Sequence, residues 1–249
     1  MRLVIDVWRQ EGPLADGWFQ THEVDDATPE MSLLELLDRL NDQLVDAGDE
    51  PVVFDSDCRE GICGACGVTV DGNPHGPRKN TPSCHQRLAA YRDGQRIRIE
   101  PLRSAAFPVV RDLVVDRSAL DRVIAAGGHV GVPGGSAPDA NTIPVAHDQA
   151  ERALDMAACI GCGACVAACP NGAAHLFVGS KLAHLSLLPA GRPERGRRAR
   201  AMLAEMEQDF GPCSLYGECA DVCPAGIPLT AIASVNKEGL RSFLRRKDD

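Results

Sequence analysis

The chain has 249 residues, room for two modest domains, and its 44% hydrophobic content supplies ordinary globular cores. A net charge of −9 argues against nonspecific nucleic-acid binding, which needs a basic surface, and leaves proteins or small molecules as partners. Eleven cysteines, an odd number in tight C-x2-C spacings, do not suit a disulfide framework; they point to a reducing cytoplasm where clustered thiols hold metal.

In chain order, "MRLVIDVWRQ" alternates Leu3, Ile5 and Val7 and reads as a strand, not as a charged start followed by an apolar signal segment. "GWFQTHEVD" is a second strand. Thr28 is a candidate helix cap with Pro29 at the first helical position, and Leu33, Leu36, Leu37, Leu40 and Leu44 keep helical spacing behind it. "GVTVDG" is a strand running into an Asp-Gly turn, and "QRIRIEP" a strand with Ile97 and Ile99 alternating. Residues 1–105 therefore read as a small sheet crossed by one helix. Asp116 is a possible cap for "RSALDRVIAA", and the Gly/Pro-rich "GGHVGVPGGSAPDANTIP" is a surface loop. Helices are expected over 147–158, 173–188, 194–209 and 229–244, the last with Ile232, Val235, Leu240, Phe243 and Leu244 apolar. No run of about 18 apolar residues occurs, so no spanning helix is expected.

The first cysteine group, "CREGICGAC", sets Cys58, Cys63 and Cys66 in C-x4-C-x2-C spacing, with Cys84 following in "TPSCH". This is the plant-type [2Fe–2S] spacing with a distant fourth thiolate. Gly61, Gly64 and Gly67 allow tight turns, and their amides can point at sulfur. Structural zinc also takes four cysteines, but its ligands usually come in two short pairs. The second group, "CIGCGACVAACP", places Cys159, Cys162, Cys165 and Cys169 before Pro170, the bacterial ferredoxin run whose fourth Cys serves the other cluster. Cys213, Cys219 and Cys223, before Pro224, repeat that run with Tyr216 at the second position. Crossing over the fourth thiolates assigns Cys159, Cys162, Cys165 and Cys223 to a [4Fe–4S] cube, and leaves Cys169, Cys213 and Cys219 to a second centre. With three thiolates that centre tends toward [3Fe–4S]. Tyr216 either closes the open corner or contributes its oxygen, as Tyr does in some haem proteins.

"CREGICGACGVTVDG", "TPSCH", "IEPL", "FPVVRDLVVD", "CIGCGACVAACP" and "CSLYGECADVCPAGI" together resemble, over nearly the whole chain, the iron–sulfur subunit of succinate dehydrogenase and fumarate reductase. The resemblance implies an α+β chain. An N-terminal β-grasp plant-type ferredoxin domain would span 1–105, and a C-terminal all-helical bacterial-ferredoxin-like domain binding two clusters 106–249. It further implies a flavoprotein partner carrying FAD, an integral membrane anchor, and a membrane quinone as final acceptor. The chain would then lie peripherally on the cytoplasmic face of the cell membrane. Pro170, Tyr216 and Lys237 are the quinone-proximal candidates. Ser214 and Ala174 stand where many ubiquinone-linked members carry His and Trp, which points to menaquinone.

Histidines 22, 75, 85, 129, 147, 175 and 184 are scattered and read as solvated or capping residues. The basic cluster "GRPERGRRAR" reads as a solvated helix face, or as a contact for anionic headgroups through Arg197 and Arg198. Neither a G-x-G-x-x-G after a strand nor a P-loop occurs, nor an acid/base constellation for dehydrogenation. Substrate chemistry is expected on a partner.

Overall fold

A computed structural model describes residues 1–131, 139–142, 145–189 and 194–244. The remaining parts of the Gly/Pro-rich stretch, and positions 191–193 of the basic cluster, lie outside the described residues.

Strands β1 (Leu3–Arg9), β2 (Trp18–Val24), β3 (Val68–Val70), β4 (Asn73–Pro74) and β5 (Arg96–Pro101) form one sheet in the order β2-β1-β5-β3-β4. β1 pairs antiparallel with β2 and parallel with β5, setting Ile5 beside Ile97 and Val7 beside Ile99. The fully buried side chains of these strands meet Leu33, Leu34, Leu36, Leu37, Leu40 and Leu44 of helix α1 (Leu33–Ala47). Each such leucine stabilises the fold by about 1.5–3 kcal/mol relative to exposure. The cap of α1 is Ser32, not Thr28. Its hydroxyl accepts the Glu35 amide at 3.2 Å while Glu35 Oε2 accepts the Ser32 amide at 2.6 Å, so one capping box satisfies two free N–H groups. The expected Asp-Gly turn joins β3 to β4, with Asp71 at φ +49° and Gly72 at φ +81° as a two-residue I′ hairpin requires.

Mixed sheet and helix make the chain α+β. Within 106–249 the described structure is helical apart from a ribbon of β6 (Val109–Arg111) and β7 (Val114–Val115). The turn of that ribbon is sewn into the first half of the chain. Asp112 accepts the amides of Gln10 and Val53, both at 2.9 Å, with Arg9 Nε at 3.3 Å, and Leu113 joins the first core. The cap position of α2 (Ser118–Val123) is Arg117, not Asp116, and it has no side-chain cap bond; Asp116 Oδ1 accepts the Ser118 amide at 2.8 Å just ahead of the helix.

Beyond it come α3 (His147–Ala157), α4 (Ala164–Ala167), α5 (His175–Leu187), α6 (Arg195–Asp209), α7 (Glu218–Asp221) and α8 (Thr230–Leu244). α5 is apolar on nearly every face and is the central rod, packed by α3, α6 and α8. At Gly179 the contact is backbone on backbone, since a Cβ there would stand 2.3 Å from the Ala231 oxygen. Phe107 and Phe210 meet edge to face at 6.2 Å between centroids in the core shared by α2, α5 and α6.

On α8, Ile232 and Val235 are buried as expected, whereas Leu240, Phe243 and Leu244 are exposed. Arg198 also departs from expectation. It is 4% exposed and donates to the carbonyls of Gly127, His129 and Gly131 and to Glu194. Three backbone acceptors need a buried donor here, so Arg198 is a structural tie and is not available to a headgroup. Among the described residues no helix is long and apolar enough to cross a membrane.

Candidate functional site

All eleven cysteines are free thiols, and folding gathers them into three neighbourhoods. Cys58, Cys63 and Cys66 lie on the loop between α1 and β3, and Cys84 on a single 3-10 turn, Ser83–His85. Cys58 lies beside Cys63, and Cys66 beside Cys84. As expected, amides point at sulfur: Glu60 N–H donates to Cys58 Sγ at 3.3 Å and Ala65 N–H to Cys63 Sγ at 3.4 Å. The Glu60 amide, then the Ile62 amide and the Cys63 side chain, lower the Cys58 thiol to about 7, whereas burial pushes the Cys66 thiol up to about 12.

The second and third groups are two copies of one backbone. Shifting by 54 positions carries Cys159 onto Cys213, Cys162 onto Tyr216, Cys165 onto Cys219 and Cys169 onto Cys223. The dihedrals follow: φ is +66° at Gly161 and +59° at Leu215, +86° at Gly163 and +93° at Gly217, +61° at Gly172 and +64° at Gly226. Leu215 thus holds a left-handed conformation that its partner fills with glycine. The short helices α4 and α7 are the matching pair and pack on each other.

Each copy closes one side of a cavity. The first is lined by Cys159, Cys162, Cys165 and Cys223, with Leu176, Phe177 and Ile227 as apolar walls. The second is lined by Cys169, Cys213 and Cys219 together with Pro170, His175 and Tyr216. Cys223 thus lines the first cavity and Cys169 the second. Tyr216 is mostly exposed and borders the second cavity at the place Cys162 takes in the first. Lys237 does not line that cavity and stands exposed on α8.

The donor set fits iron–sulfur cubes. Among the described residues no group of three or more His, Cys, Asp or Glu is arranged to hold a single metal ion; the thiols instead surround spaces. Burial raises the Cys162 thiol to about 12 and holds the Cys165 thiol well above its ordinary value, so cations entering the cavity must displace these protons. Ile227 N–H donates to Cys223 Sγ at 3.4 Å, and Nδ1 of His175 is buried in the second site without a partner.

Two cations close to the first cavity carried no sequence signal. Lys181 Nζ donates to the Cys159 carbonyl at 3.0 Å, and Arg117 Nη1 to the carbonyls of Gly64 and Cys162 at 2.5 and 3.1 Å. His75 also departs from the solvated role expected of it. It is 1% exposed, accepts the Ser83 amide at Nδ1 at 3.2 Å, and is lowered to about 4, by burial above all.

Such a site defines an iron–sulfur protein with two kinds of centre. The family models agree: a 2Fe-2S iron-sulfur cluster binding domain matches residues 4–122, and a 4Fe-4S dicluster domain matches residues 158–227. The succinate dehydrogenase iron-sulfur subunit of Bacillus subtilis is 32% identical over 78% of this chain and 74% of its own. The fumarate reductase iron-sulfur subunit of Mycobacterium tuberculosis is 30% identical over 91% of this chain and 87% of its own. A chain of the Mycobacterium smegmatis Sdh1 complex in the apo form shares the fold, with a TM-score of 0.70 over 97% of both chains at 20% identity. The chain belongs to the family of succinate dehydrogenase and fumarate reductase iron–sulfur subunits, and is an electron-transfer subunit of that oxidoreductase class.

Proposed function

We propose that the chain is the electron-transfer subunit of a succinate dehydrogenase of the tricarboxylic acid cycle and respiratory chain. It would link the FAD of a flavoprotein subunit to a membrane quinone, menaquinone by the residues at Ser214 and Ala174. Residues 1–105 form a β-grasp ferredoxin domain in which Cys58, Cys63, Cys66 and Cys84 hold [2Fe–2S]. Residues 106–249 form a dicluster domain in which Cys159, Cys162, Cys165 and Cys223 hold [4Fe–4S], and Cys169, Cys213 and Cys219 hold [3Fe–4S]. Bound in this order, the three centres supply single-electron acceptance and release. The chain's own residues fix their spacing, aim amides at sulfur and exclude water with apolar walls. It contributes no substrate-converting residue, and an anchor subunit would hold it at the cytoplasmic face of the membrane, with Pro170, Tyr216 and Lys237 toward the quinone.

The support comes chiefly from the two cavities, one walled by four cysteines and the other by three with Tyr216 at the remaining corner. An EPR redox titration of the purified complex tests it. Three signals are expected, one of them an oxidised-state [3Fe–4S] signal that vanishes on reduction; two [4Fe–4S] cubes would overturn the assignment. Similarity to the fumarate reductase subunit over 91% of the chain favours a second reading, operation in reverse. Coupled assays with succinate and quinone, set against fumarate and quinol, separate the two directions.

A further inference from the structure

We propose that Arg117 is a positioning residue between the first two centres: its guanidinium ties the [2Fe–2S] loop to the [4Fe–4S] loop, and its charge favours the reduced form of both clusters. This rests on the cluster assignment above and adds a residue outside every cysteine motif.

Arg117 precedes α2, where the backbone is fixed on both sides. The Asp116 amide donates to the Pro108 carbonyl at 2.9 Å, and the Asp116 carboxylate accepts from Ser118. The stem of Arg117 is confined too. A Cβ at Gly163 would lie 3.6 Å from its Cδ and 2.8 Å from the ring of Phe107. From there a single nitrogen, Nη1, reaches one carbonyl in each loop, Gly64 between Cys63 and Cys66, and Cys162 itself. The same loops touch directly, since Gly64 lies against Ile160 and Cys162.

The charge has no other evident purpose. Arg117 is half-buried, its two hydrogen bonds go to neutral carbonyls, and among the described residues no carboxylate pairs with it. A cation withdrawn from water needs a negative neighbour. Its two acceptors, the Gly64 and Cys162 carbonyls, belong to the two cysteine loops, whose Cys63, Cys66 and Cys162 thiols become thiolates when iron binds. Each added electron makes a cluster more negative, so a fixed cation nearby favours the reduced state. Its field reaches both sides of the junction. It is the second cause, after burial, that holds His75 low, and its Nη1 sits on the Cys162 carbonyl on the other side.

The test is an EPR-monitored redox titration of the whole complex carrying Arg117→Gln, Arg117→Met or Arg117→Lys. Met keeps the stem against Gly163 if Gln does not assemble. In the neutral variants the reduction equilibria of the [2Fe–2S] and [4Fe–4S] centres should fall by about tenfold, 59 mV for one electron. The third centre, whose cavity lining includes neither Arg117 nor either of its acceptors, should not move. Lys keeps the charge and should hold both midpoints close to wild type, while magnetic broadening between the first two centres changes because the tie is altered. Neutral variants with full signals and unmoved midpoints would overturn the inference, as would a Lys variant whose midpoints fall as far as theirs. Absence of the three signals from the unaltered complex would instead overturn the cluster assignment.

Discussion

Gly64 is where the first two cysteine loops meet, and it lends itself to a controlled perturbation. Its φ is +73°, and a Cβ there would stand 2.4 Å from the Ile160 carbonyl oxygen and 3.0 Å from the Cys162 nitrogen. Gly64→Ala therefore carries two separable costs. The left-handed backbone costs alanine about 1–2 kcal/mol. The collision is about 1 Å short of ordinary contact, and because it is with backbone it adds about 1–3 kcal/mol. Gly72→Ala isolates the first cost, since φ there is +81° with nothing within 4 Å. The assay is thermal melting of the loaded chain at one scan rate, followed by far-UV circular dichroism and by the visible absorbance of the clusters. Gly64→Ala should melt below Gly72→Ala by roughly 2–10 °C, with visible absorbance lost early. Equal melting of the two variants would refute direct contact between the loops.

Tyr216→Cys restores the thiolate that the first cavity has at Cys162. It should admit a fourth iron, lower that centre's potential and slow electron delivery to quinone; an oxidised-state [3Fe–4S] signal persisting in the variant would remove the role given to Tyr216. His75 is buried in its neutral form, so its stabilising contribution is complete above its free value of 6.5 and is lost as pH falls toward about 4. The loss is of order 3 kcal/mol, and the acid limb of the stability curve should flatten in His75→Gln; superimposable limbs would exclude His75. Gly179→Ala gains about 1 kcal/mol of helix propensity but sets its Cβ 2.3 Å from the Ala231 oxygen. A net loss of about 1–2 kcal/mol is expected in the same melts, and a stabilised variant would contradict the close crossing of α5 and α8.

The parts of the fold legible in the sequence are those whose physics is local. The leucine spacing of α1 and the Asp71-Gly72 turn each carry their own signal, and the structure has them where they were expected. The cap of α1 was legible as well, because Ser32 and Glu35 stand three apart, but Thr28 followed by Pro29 offered a competing start. Arg198 was not legible. A basic run looks solvated until the chain returns three carbonyls from 127–131 that only a buried guanidinium can satisfy. Arg117 and Lys181 were hidden for the same reason, since their acceptors lie 45, 53 and 22 positions away. His75 looked like a surface residue because nothing beside it in sequence announces Ser83.

The first cavity draws three cysteines from one copy of the repeat and its fourth from the other. A cluster seated there is also a cross-link, closing a loop of roughly 60 residues, and the loop-entropy relation for covalent bridges puts such a closure near 4 kcal/mol. Helices α5 and α6 lie wholly inside that loop. Iron would thus act on this half of the chain as a buckle as well as a conductor. Chelation should loosen α5 and α6 together, much as reduction of a disulfide loosens a small secreted domain.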